Sequence, residues 1–461
     1  MDDSAKFTDE GWWASGAINH ILTGHWLLPG GYNPMVAVPL WSMLMEVVFH
    51  FAGINVAVAR GVAFSFTIGT VLAGGALMAR DHRSLAPGLM LLIGTSPLLY
   101  FFSRSAILEA SLIFFLTSAA LAAYATSPPG IVRSILCGVL FTLAMLAKSS
   151  ALFVAPAILY LLWFPHCHFW SSQLAADRAH RTRALLAVAI PALTFILCYG
   201  LYWLLFVHTH PVDVRTLYDN NKPVLDLRSV EKSARLVYRC FTWLDPVLFP
   251  VAVVAVILSI RRLPVLWQDP LFGFAVLSFL GYSGFMVWHF DASPRYFAVL
   301  VVPVMILVVL LLNALELRMP AAFKALGALV LLAVIVNIAY IARLLAHPEY
   351  TLRDACLKIR SQIDSDPSVN RLVIGHGVVE TTYFTHIPAL DDLGSMPMVQ
   401  KMDLYHPGWA VVWSDDVGIL ALPSVAHSYA FTELGKYSVF DQPRRGFLVL
   451  YRIHARDPGT R

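Results

Sequence analysis

The sequence contains few charged residues for its length. Of its 461 residues only 13% are Asp, Glu, Lys or Arg, whereas 58% are hydrophobic. Soluble domains contain about 25% charged and about 45–50% apolar residues, so this composition indicates a chain whose main solvent is lipid. The formal net charge of +4 is too small to indicate a nucleic-acid partner, and the positions of the charges carry more information than their sum.

Several common motifs are also missing. The five cysteines include no CxxC pair, so a zinc site or a thioredoxin-type redox site has little support. There is no GxGxxG and no P-loop, which argues against a nucleotide site, and there is no internal repeat. The first residues, MDDSAKFTDEGWW, contain no apolar core of a cleavable signal peptide. The first hydrophobic spans are therefore expected to direct insertion themselves.

Long apolar runs predict about ten membrane-spanning helices, and hence an α-helical polytopic membrane protein. A span needs about 20 apolar residues to cross a hydrocarbon core of about 30 Å. Each span must be helical because lipid offers no partner to an unpaired backbone group. The predicted spans cover residues 57–79, 85–102, 106–126, 132–147, 149–164, 184–206, 246–260, 271–289, 296–315 and 324–345.

The basic residues in the short loops predict how the spans are oriented. If the basic loops are cytoplasmic, the spans between them come in pairs, and Lys148 lies in an outer hairpin between two short helices. The same rule places Arg104, Arg295 and residues 346–461 outside. The loop 207–245 carries both signs of charge and is assigned to the outside, since the reverse orientation would place four basic loops there. The basic residues used are Arg80, Arg83, Arg133, Arg178, Arg181, Arg183, Arg261, Arg262, Arg318 and Lys324.

Residues 1–56 are predicted to lie on the outer face as a loop with interfacial helices. Residues 34–53 are hydrophobic, but Glu46 and His50 interrupt them. A span here would also place the residues before it in the cytoplasm. An amphipathic helix in the membrane interface, with Trp41 at headgroup level, fits this segment better.

Residues 57–345 form the predicted transmembrane module, and residues 346–461 differ from it in composition. They contain short apolar runs, RLVIG, WAVVW and GFLVLYRI, with helical patterns between them such as 351–364. Strands that alternate with helices predict a small extracytoplasmic α/β domain. By this topology only Cys240 and Cys356 share the outer side, so only they could form an extracytoplasmic disulfide.

Ionisable residues close to the membrane are costly and are functional candidates by default. Glu109 lies within a span and needs a buried partner, for which Arg104 is the nearest candidate. Structural alternatives stay open, since Arg295 and Lys148 can extend to lipid headgroups and an Asp-Glu pair commonly favours a helix N-terminus. The residues that the topology brings to one face are Asp9, Glu10, Arg104, Glu109, Lys148, His289, Asp291, Arg295 and Tyr296.

Acids and bases together on one face suit the transfer of a group from a phosphate ester. A phosphate leaving group needs cations that stabilise the charge developing on it. Arginine binds phosphate in a bidentate manner, and lysine acts as a point charge. An acceptor hydroxyl or amine needs a carboxylate to take its proton. The residues therefore predict a cation-rich phosphate site next to a general base.

Several stretches within residues 1–345 resemble, in their order and spacing, the GT-C glycosyltransferases. They are most like the branch of the protein O-mannosyltransferases and the lipid A aminoarabinose transferase ArnT. FTDEGWWASGAINHILTGHWLLPGGYNP, followed by PLW, resembles the first outer loop of that family, with its Asp-Glu pair, aromatic helix and Pro-rich step. GINVAVARGVAF resembles the entry to the next span, SRSAILEASLIFF the R-x-A-x-x-E stretch, and SPRYFAVLVVP the R-Y-x-x-x-x-x-P stretch.

The resemblance implies an inverting hexosyl or pentosyl transferase that moves a sugar from a polyprenyl-phosphate carrier to an acceptor glycan, lipid or protein. The implied place is the outer face of a bacterial inner or plasma membrane, with no nucleic-acid partner. Asp9 is the implied catalytic base, and Glu10 would orient an acceptor or a divalent metal. Metal candidates are Glu10, His289 and Asp291. The implied substrate-binding residues are Arg60, Arg104, Glu109, Lys148, Arg295 and Tyr296.

The sequence departs from the family in two places. Family members carry a transmembrane helix before the Asp-Glu loop, and this sequence predicts none before Asp9, which leaves the anchoring of the catalytic loop in question. ArnT-type proteins have an acidic and a basic residue just before the Pro step, where this chain has GGYNP with Tyr32 and Asn33. Aminoarabinose specificity and a metal site at that step are therefore not supported.

Two functions of other classes remain as alternatives. A transporter or flippase of lipid-linked sugars is expected to have discontinuous helices with polar residues near the midplane, and often internal repeats. The sequence shows ionisable groups near helix ends and no repeat. An assembly subunit without activity is the other alternative, since the first family helix is missing from the predicted topology.

Overall fold

The computed structural model describes residues 8–124, 130–170, 178–220, 229–289, 293–316, 318–346, 352–439 and 446–456. The strands are β1 (Val373–Gly375), β2 (Ala389–Asp391), β3 (Trp409–Trp413), β4 (Tyr429–Ser438) and β5 (Phe447–Ala455). The helices are α1 (Thr8–Thr23), α2 (Pro39–Ala52), α3 (Val56–Met78), α4 (Ala86–Gly94), α5 (Pro97–Ser103), α6 (Leu108–Ala123), α7 (Ile131–Ala147), α8 (Ala155–Trp170), α9 (Arg178–Tyr202), α10 (Pro211–Asn220), α11 (Ser229–Arg239), α12 (Leu248–Leu258), α13 (Leu263–Leu266), α14 (Pro270–Trp288), α15 (Pro294–Glu316), α16 (Pro320–Ala346), α17 (Leu352–Asp364), α18 (Thr382–Thr385), α19 (Met398–Tyr405) and α20 (Pro423–Ser428).

The chain is an integral membrane protein with a helical membrane module. Among the described residues, five helices are long and apolar enough to cross a membrane: α3, Leu185–Val207, α14, α15 and α16. Two bent helix pairs raise the number to seven if each pair is one span, and four further apolar helices are shorter. All ten predicted spans coincide with one of these helices or pairs, so the predicted α-helical polytopic fold is confirmed.

Helix α15 is the centre of the membrane module. All its side chains from Tyr296 to Leu311 are buried, whereas only 22% of the most apolar window of α3 and of α16 is buried. A helix that is hydrophobic on all sides is expected to be buried by its neighbours. The exposed apolar faces of the outer helices are suited to lipid. The N-terminal turn of α15 therefore lies at the centre of one end of the helix bundle.

The predicted span 85–102 is bent rather than straight. Its two halves, α4 and α5, meet at 60°. The bend follows from Pro97, which cannot donate the helical hydrogen bond of an interior residue. The Ser96 hydroxyl instead accepts the N–H of Leu99 at 3.4 Å and caps the second half. A second bent pair, at 116°, lies within residues 233–258, where the predicted span 246–260 shortens to α12.

Residues 34–53 form a short turn and α2, a helix of 14 residues. The placement of α2 in the membrane interface stays a prediction. The prediction that Trp41 meets the headgroups is wrong, because its side chain is fully buried. It packs with Ala14, Ala17 and Ile18 of α1, since α1 lies across α2 and covers it.

Residues 352–456, called here the C-terminal unit, form one sheet with small helices. The strand order is β2-β1-β3-β5-β4. Strand β1 runs parallel to β2 and β3, and β5 runs antiparallel to β3 and β4. The runs RLVIG, WAVVW and GFLVLYRI correspond to β1, β3 and β5, so the small α/β fold is confirmed. The carboxyl ends of β1 and β2 meet at one edge of the sheet, because the two strands are parallel and adjacent.

The disulfide considered between Cys240 and Cys356 does not form. Both thiols are free and buried. Cys240 packs in the core of the membrane module, and Cys356 packs in the core of the C-terminal unit. Each cysteine therefore behaves as a small apolar core residue.

Candidate active site

Glu10 ties the first helix to the membrane module. Its carboxylate accepts two hydrogen bonds from Arg60 of α3, at 2.9 Å from Nε and 2.7 Å from Nη2. Oxygen Oε1 also accepts the backbone N–H of Ala106 at 2.6 Å. Glu10 is only 3% exposed, so these partners offset the cost of burying its charge. The bent α4–α5 pair delivers Ala106 to this point, in the loop between α5 and α6.

A second buried carboxylate lies at the start of α6. Glu109 is 1% exposed, and its Oε1 forms an ion pair with the Lys148 ammonium. The same oxygen lies 3.7 Å from Nε of Arg295. The Lys148 ammonium lies 4.2 Å from the ring centroid of Tyr296, and the Arg295 guanidinium lies 5.2 Å from the same centroid. We call Glu109, Lys148, Arg295 and Tyr296 the cation cluster.

Helix ends position each member of the cation cluster. Lys148 is the extended residue that ends α7, with φ −162° and ψ 126°. Arg295 and Tyr296 stand in the first turn of α15, and Glu109 stands in the first turn of α6. A carboxylate is favoured at a helix N-terminus by the helix dipole. The chain therefore joins residues far apart in sequence at one end of the helix bundle.

The expected pairing of Glu109 with Arg104 is wrong. The Arg104 guanidinium lies over the ring of Tyr100, 5.5 Å from its centroid. The backbone explains the difference, because Arg104 ends α5 and precedes a change of direction, whereas Glu109 already belongs to α6. Lys148 and Arg295, rather than the neighbouring Arg104, lie next to the Glu109 carboxylate.

Three further residues were predicted for the site, namely Asp9, Asp291 and His289. The backbone of Asp9 belongs to α1, but its side chain lies outside the described residues, as does the whole of Asp291. The His289 ring packs edge-on to Tyr296 at 5.2 Å and close to Phe285 at 5.0 Å. His289 therefore lies beside the cation cluster.

The C-terminal unit closes over α1 next to these residues. The Trp12 indole N–H donates to Oδ2 of Asp391 at 2.8 Å. The Tyr383 hydroxyl donates to the backbone carbonyl of Glu10 at 3.1 Å. Burial, and then the nearby Asp391 and Tyr296, raise the pKa of Tyr32 to about 12. The Tyr32 ring packs edge-on against Trp12, with 5.4 Å between ring centroids, so Tyr32 lies beside the contact of α1 with the C-terminal unit.

His376, Asp391 and Asp392 have ligand atoms close enough to hold a metal ion, within 4.8 Å of one another. Oxygen Oδ2 of Asp391 already accepts the N–H of Gly377 at 2.9 Å and the Trp12 indole. Asp392 accepts from His376 at 2.8 Å. The buried Lys401 ammonium donates to the Asp391 carbonyl at 2.7 Å. The cluster therefore already contains its own cation and hydrogen-bond donors.

The metal role considered for Glu10 does not fit the observed geometry. Both of its oxygens accept bonds from Arg60, and one also accepts a backbone N–H. A guanidinium in bidentate contact occupies the positions that a divalent ion would need. Hard divalent ions need several oxygen ligands, and the described surroundings of Glu10 supply a cation instead.

Trp12, Tyr383 and Asp391 are residues that sequence reasoning missed. The sequence does contain an indication of the Asp391 site. His376 and Asp391 each stand at the end of a short apolar run, in the stretches IGHG and ALDD. Polar residues that follow adjacent parallel strands meet at one sheet edge. The short strand β2 was not predicted, so the edge could not be recognised.

The fold is similar to that of solved membrane glycosyltransferases. ArnT from Cupriavidus metallidurans in the apo state gives a TM-score of 0.58 at 11% identity, covering 96% of this chain and 93% of that one. The same protein bound to undecaprenyl phosphate gives 0.57 at 12% identity, with the same coverage. An oligosaccharyltransferase from Archaeoglobus fulgidus, in complex with Zn and sulfate, gives 0.56 at 14% identity, covering 95% and 69%.

No protein-family model and no curated protein matches the chain. The structural similarity nevertheless extends over nearly the whole length of this chain and of ArnT. It includes both the helical membrane module and the C-terminal unit. The resemblance drawn from the short motifs thus has a structural counterpart in the fold, which this chain shares with ArnT and with the Archaeoglobus fulgidus oligosaccharyltransferase.

Proposed function

We propose that the chain transfers a sugar from a polyprenyl-phosphate carrier to an acceptor at the extracytoplasmic face of its membrane. The observation that carries the proposal is the cation cluster, where Lys148 and Arg295 converge on the single carboxylate of Glu109. The described members of the cluster place two cations beside one carboxylate in a partly buried site. Such a site stabilises an anionic phosphate as it leaves.

The donor lipid would reach the cation cluster from the apolar side. A small cavity is lined by Ile113 of α6, Val299 of α15 and neighbouring apolar residues. Ile113 and Val299 each follow Glu109 and Arg295 by four residues, so they lie one turn further along the same helix faces. The cavity therefore begins one helical turn below the proposed phosphate site. The cavity, of about 20 Å³, holds about one water molecule, so in this proposal a polyprenyl tail enters only when these side chains move apart.

Asp9 is the proposed general base. Its neighbour Glu10 is held by Arg60 and Ala106, which fixes the first turn of α1 against the membrane module. The backbone of Asp9 belongs to this same first turn of α1. In the proposed step, Asp9 takes the proton of the acceptor nucleophile. The nucleophile attacks the anomeric carbon and inverts it, and the lipid phosphate leaves to the cation cluster.

Glu109 offers a further contact for the donor. Its Oε1 is occupied by the two cations, whereas its buried Oε2 accepts no hydrogen bond from the described residues. A buried acceptor without a donor is costly. We propose that a hydroxyl of the donor sugar supplies the missing hydrogen bond, which would place the sugar next to the departing phosphate.

Asp9→Asn tests the proposal. In liposomes containing radiolabelled undecaprenyl-phosphate sugars, this variant should lose transfer, since general base catalysis is worth about 10²–10⁴-fold. It should still bind undecaprenyl phosphate. The matched control is Asp354→Asn, because Asp354 is an exposed aspartate in the first turn of α17. Wild-type transfer by Asp9→Asn would end the assignment, and sugar movement across the bilayer without transfer would identify a flippase instead.

A further inference from the structure

The first turns of α1 are docked onto the C-terminal unit through three consecutive residues. The Glu10 carbonyl accepts the Tyr383 hydroxyl, and the Trp12 indole donates to Asp391. Between them, Gly11 lies so close to Glu380 that a Cβ placed on it would be 2.3 Å from the Glu380 backbone nitrogen. The backbone of α1 is therefore in direct contact with the backbone of the C-terminal unit.

Trp12 lies in a socket formed by Tyr32, His376 and Asp391. Its ring packs edge-on against His376, at 6.2 Å, and against Tyr32, at 5.4 Å. Asp391 is 5% exposed and receives N–H groups from Gly377 and Leu393 besides the indole. Buried carboxylates that accept several N–H bonds are held in one orientation. The indole therefore meets a fixed acceptor rather than a mobile side chain.

Lys401 makes the socket rigid. It is fully buried, and its ammonium donates to the carbonyls of Asp391 and Asp392 at 2.7 and 3.2 Å. Burial lowers the pKa of Lys401 to about 8 and raises the pKa of Asp391 to about 7. Both shifts show that the charged forms are costly in this place.

We infer that the C-terminal unit sets the position of α1 for catalysis, with Asp391 and Tyr383 as positioning residues. This inference rests on the proposed function, because the position that matters is that of Asp9 at the start of α1. Tyr383 holds the carbonyl of the residue next to Asp9, and Asp391 holds the side chain three residues after it. A misplacement of about 1 Å at a catalytic group can cost about 10²-fold in rate.

Two kinds of measurement test the inference. The first is amide hydrogen exchange in α1 of the full chain in nanodiscs, for Trp12→Phe, Asp391→Asn and Tyr383→Phe. At about pH 8.5, where Asp391 is ionised, the first two variants should exchange at least about tenfold faster in α1, since one removes the donor and the other the charge of this hydrogen bond. Tyr383→Phe, which loses a neutral bond, should show a smaller increase. Tyr429→Phe is the matched control, because it removes the phenol–carboxylate bond of Tyr429 with Asp403 at a place remote from α1.

The second measurement separates positioning from folding. In the transfer assay, the first two variants should lower kcat by about 10- to 100-fold with little change in the KM for the lipid donor, because the cation cluster is intact. The double variant Trp12→Phe with Asp391→Asn should be no slower than the slower single variant, since both changes remove one contact.

The outcomes distinguish the inference from the proposed function. Unchanged exchange in α1, or faster exchange with wild-type kcat, would overturn the positioning role. Additive losses in the double variant would also overturn it, because they would show that Trp12 and Asp391 act separately. Absence of transfer by the wild-type chain would refute the proposed function itself. The exchange data would then still show whether Trp12, Asp391 and Tyr383 hold α1 against the C-terminal unit.

Discussion

Lys148→Met tests whether the cation cluster binds the phosphate directly. A hydrogen bond to a charged group is worth about 1.5–3 kcal/mol, and 1.4 kcal/mol corresponds to a tenfold change in affinity. Undecaprenyl phosphate should therefore bind about 10- to 150-fold more weakly to this variant. Methionine has a similar length and no charge, so the change removes the ammonium with little loss of packing.

The same variant should also lose stability, since Glu109 remains buried and keeps only Arg295 at 3.7 Å. Removing one partner of a buried ion pair costs about 3–5 kcal/mol, and the remaining arginine places the expected loss near the lower end. A loss of stability alone could lower the measured affinity, so the control is a second variant in which the stability is restored.

The double variant Lys148→Met with Glu109→Gln supplies that control. It removes both charges of the pair, so most of the stability should return, and the net charge of the cluster equals that of the wild type. If Lys148 contacts the phosphate, affinity for undecaprenyl phosphate stays low in the double variant. Binding can be followed in detergent by a thermal-shift titration. Wild-type affinity in the double variant would refute a direct contact and leave only a structural role for Lys148.

Three further predictions concern α1 and the C-terminal unit. Arg60→Met should destabilise the chain by about 1–3 kcal/mol, because it leaves the buried Glu10 with one donor, and adding Glu10→Gln should reverse most of the loss in a thermal unfolding assay. Gly11→Ala should cost about 1–3 kcal/mol by overpacking against Glu380, and α1 should then become sensitive to limited proteolysis, unlike Gly418→Ala, where a Cβ meets open space. Asp392 raises the pKa of His376, so this pair stabilises the folded chain at pH values below the ordinary histidine pKa, and the stabilisation is lost as the pH rises through the raised pKa. Asp392→Asn should therefore lower the melting temperature more at pH 6 than at pH 9. An equal loss at both pH values would contradict the assignment.

The membrane helices could be predicted from the sequence because their signal is local. The predicted spans 271–289 and 296–315 agree within a few residues with α14 and α15, since long apolar runs have one stable outcome in lipid. The bends were not predicted, although Pro97 gave a reason for one of them. Strands β2 and β4 were missed because β2 has only three residues and β4 is a mostly exposed edge strand with a bulge near Gly435.

The side-chain pairs of the site could not be predicted in the same way. Hydropathy locates a span along the chain but gives no rotation about its axis when nearly all sides are apolar, as in α6 and α15. Glu109 therefore seemed to need its neighbour Arg104, whereas packing brings Lys148, 39 positions away, to it. The contact of Trp12 with Asp391 joins positions 379 residues apart. Such pairs depend on tertiary packing alone.

The two buried carboxylates of the site, Glu10 and Glu109, differ in the cations and hydrogen-bond donors that surround them. Glu10 has one guanidinium in bidentate contact and one backbone N–H, so its charge is compensated, and an added anion would have no partner there. Glu109 has two cations near one oxygen, and its other oxygen accepts no hydrogen bond from the part of the chain that the structure describes. In the proposed function, the second site supplies cations for a phosphate and an acceptor for a hydroxyl. This asymmetry, rather than the number of charged residues, is why we propose that Glu10 anchors α1 and that the cation cluster binds the donor.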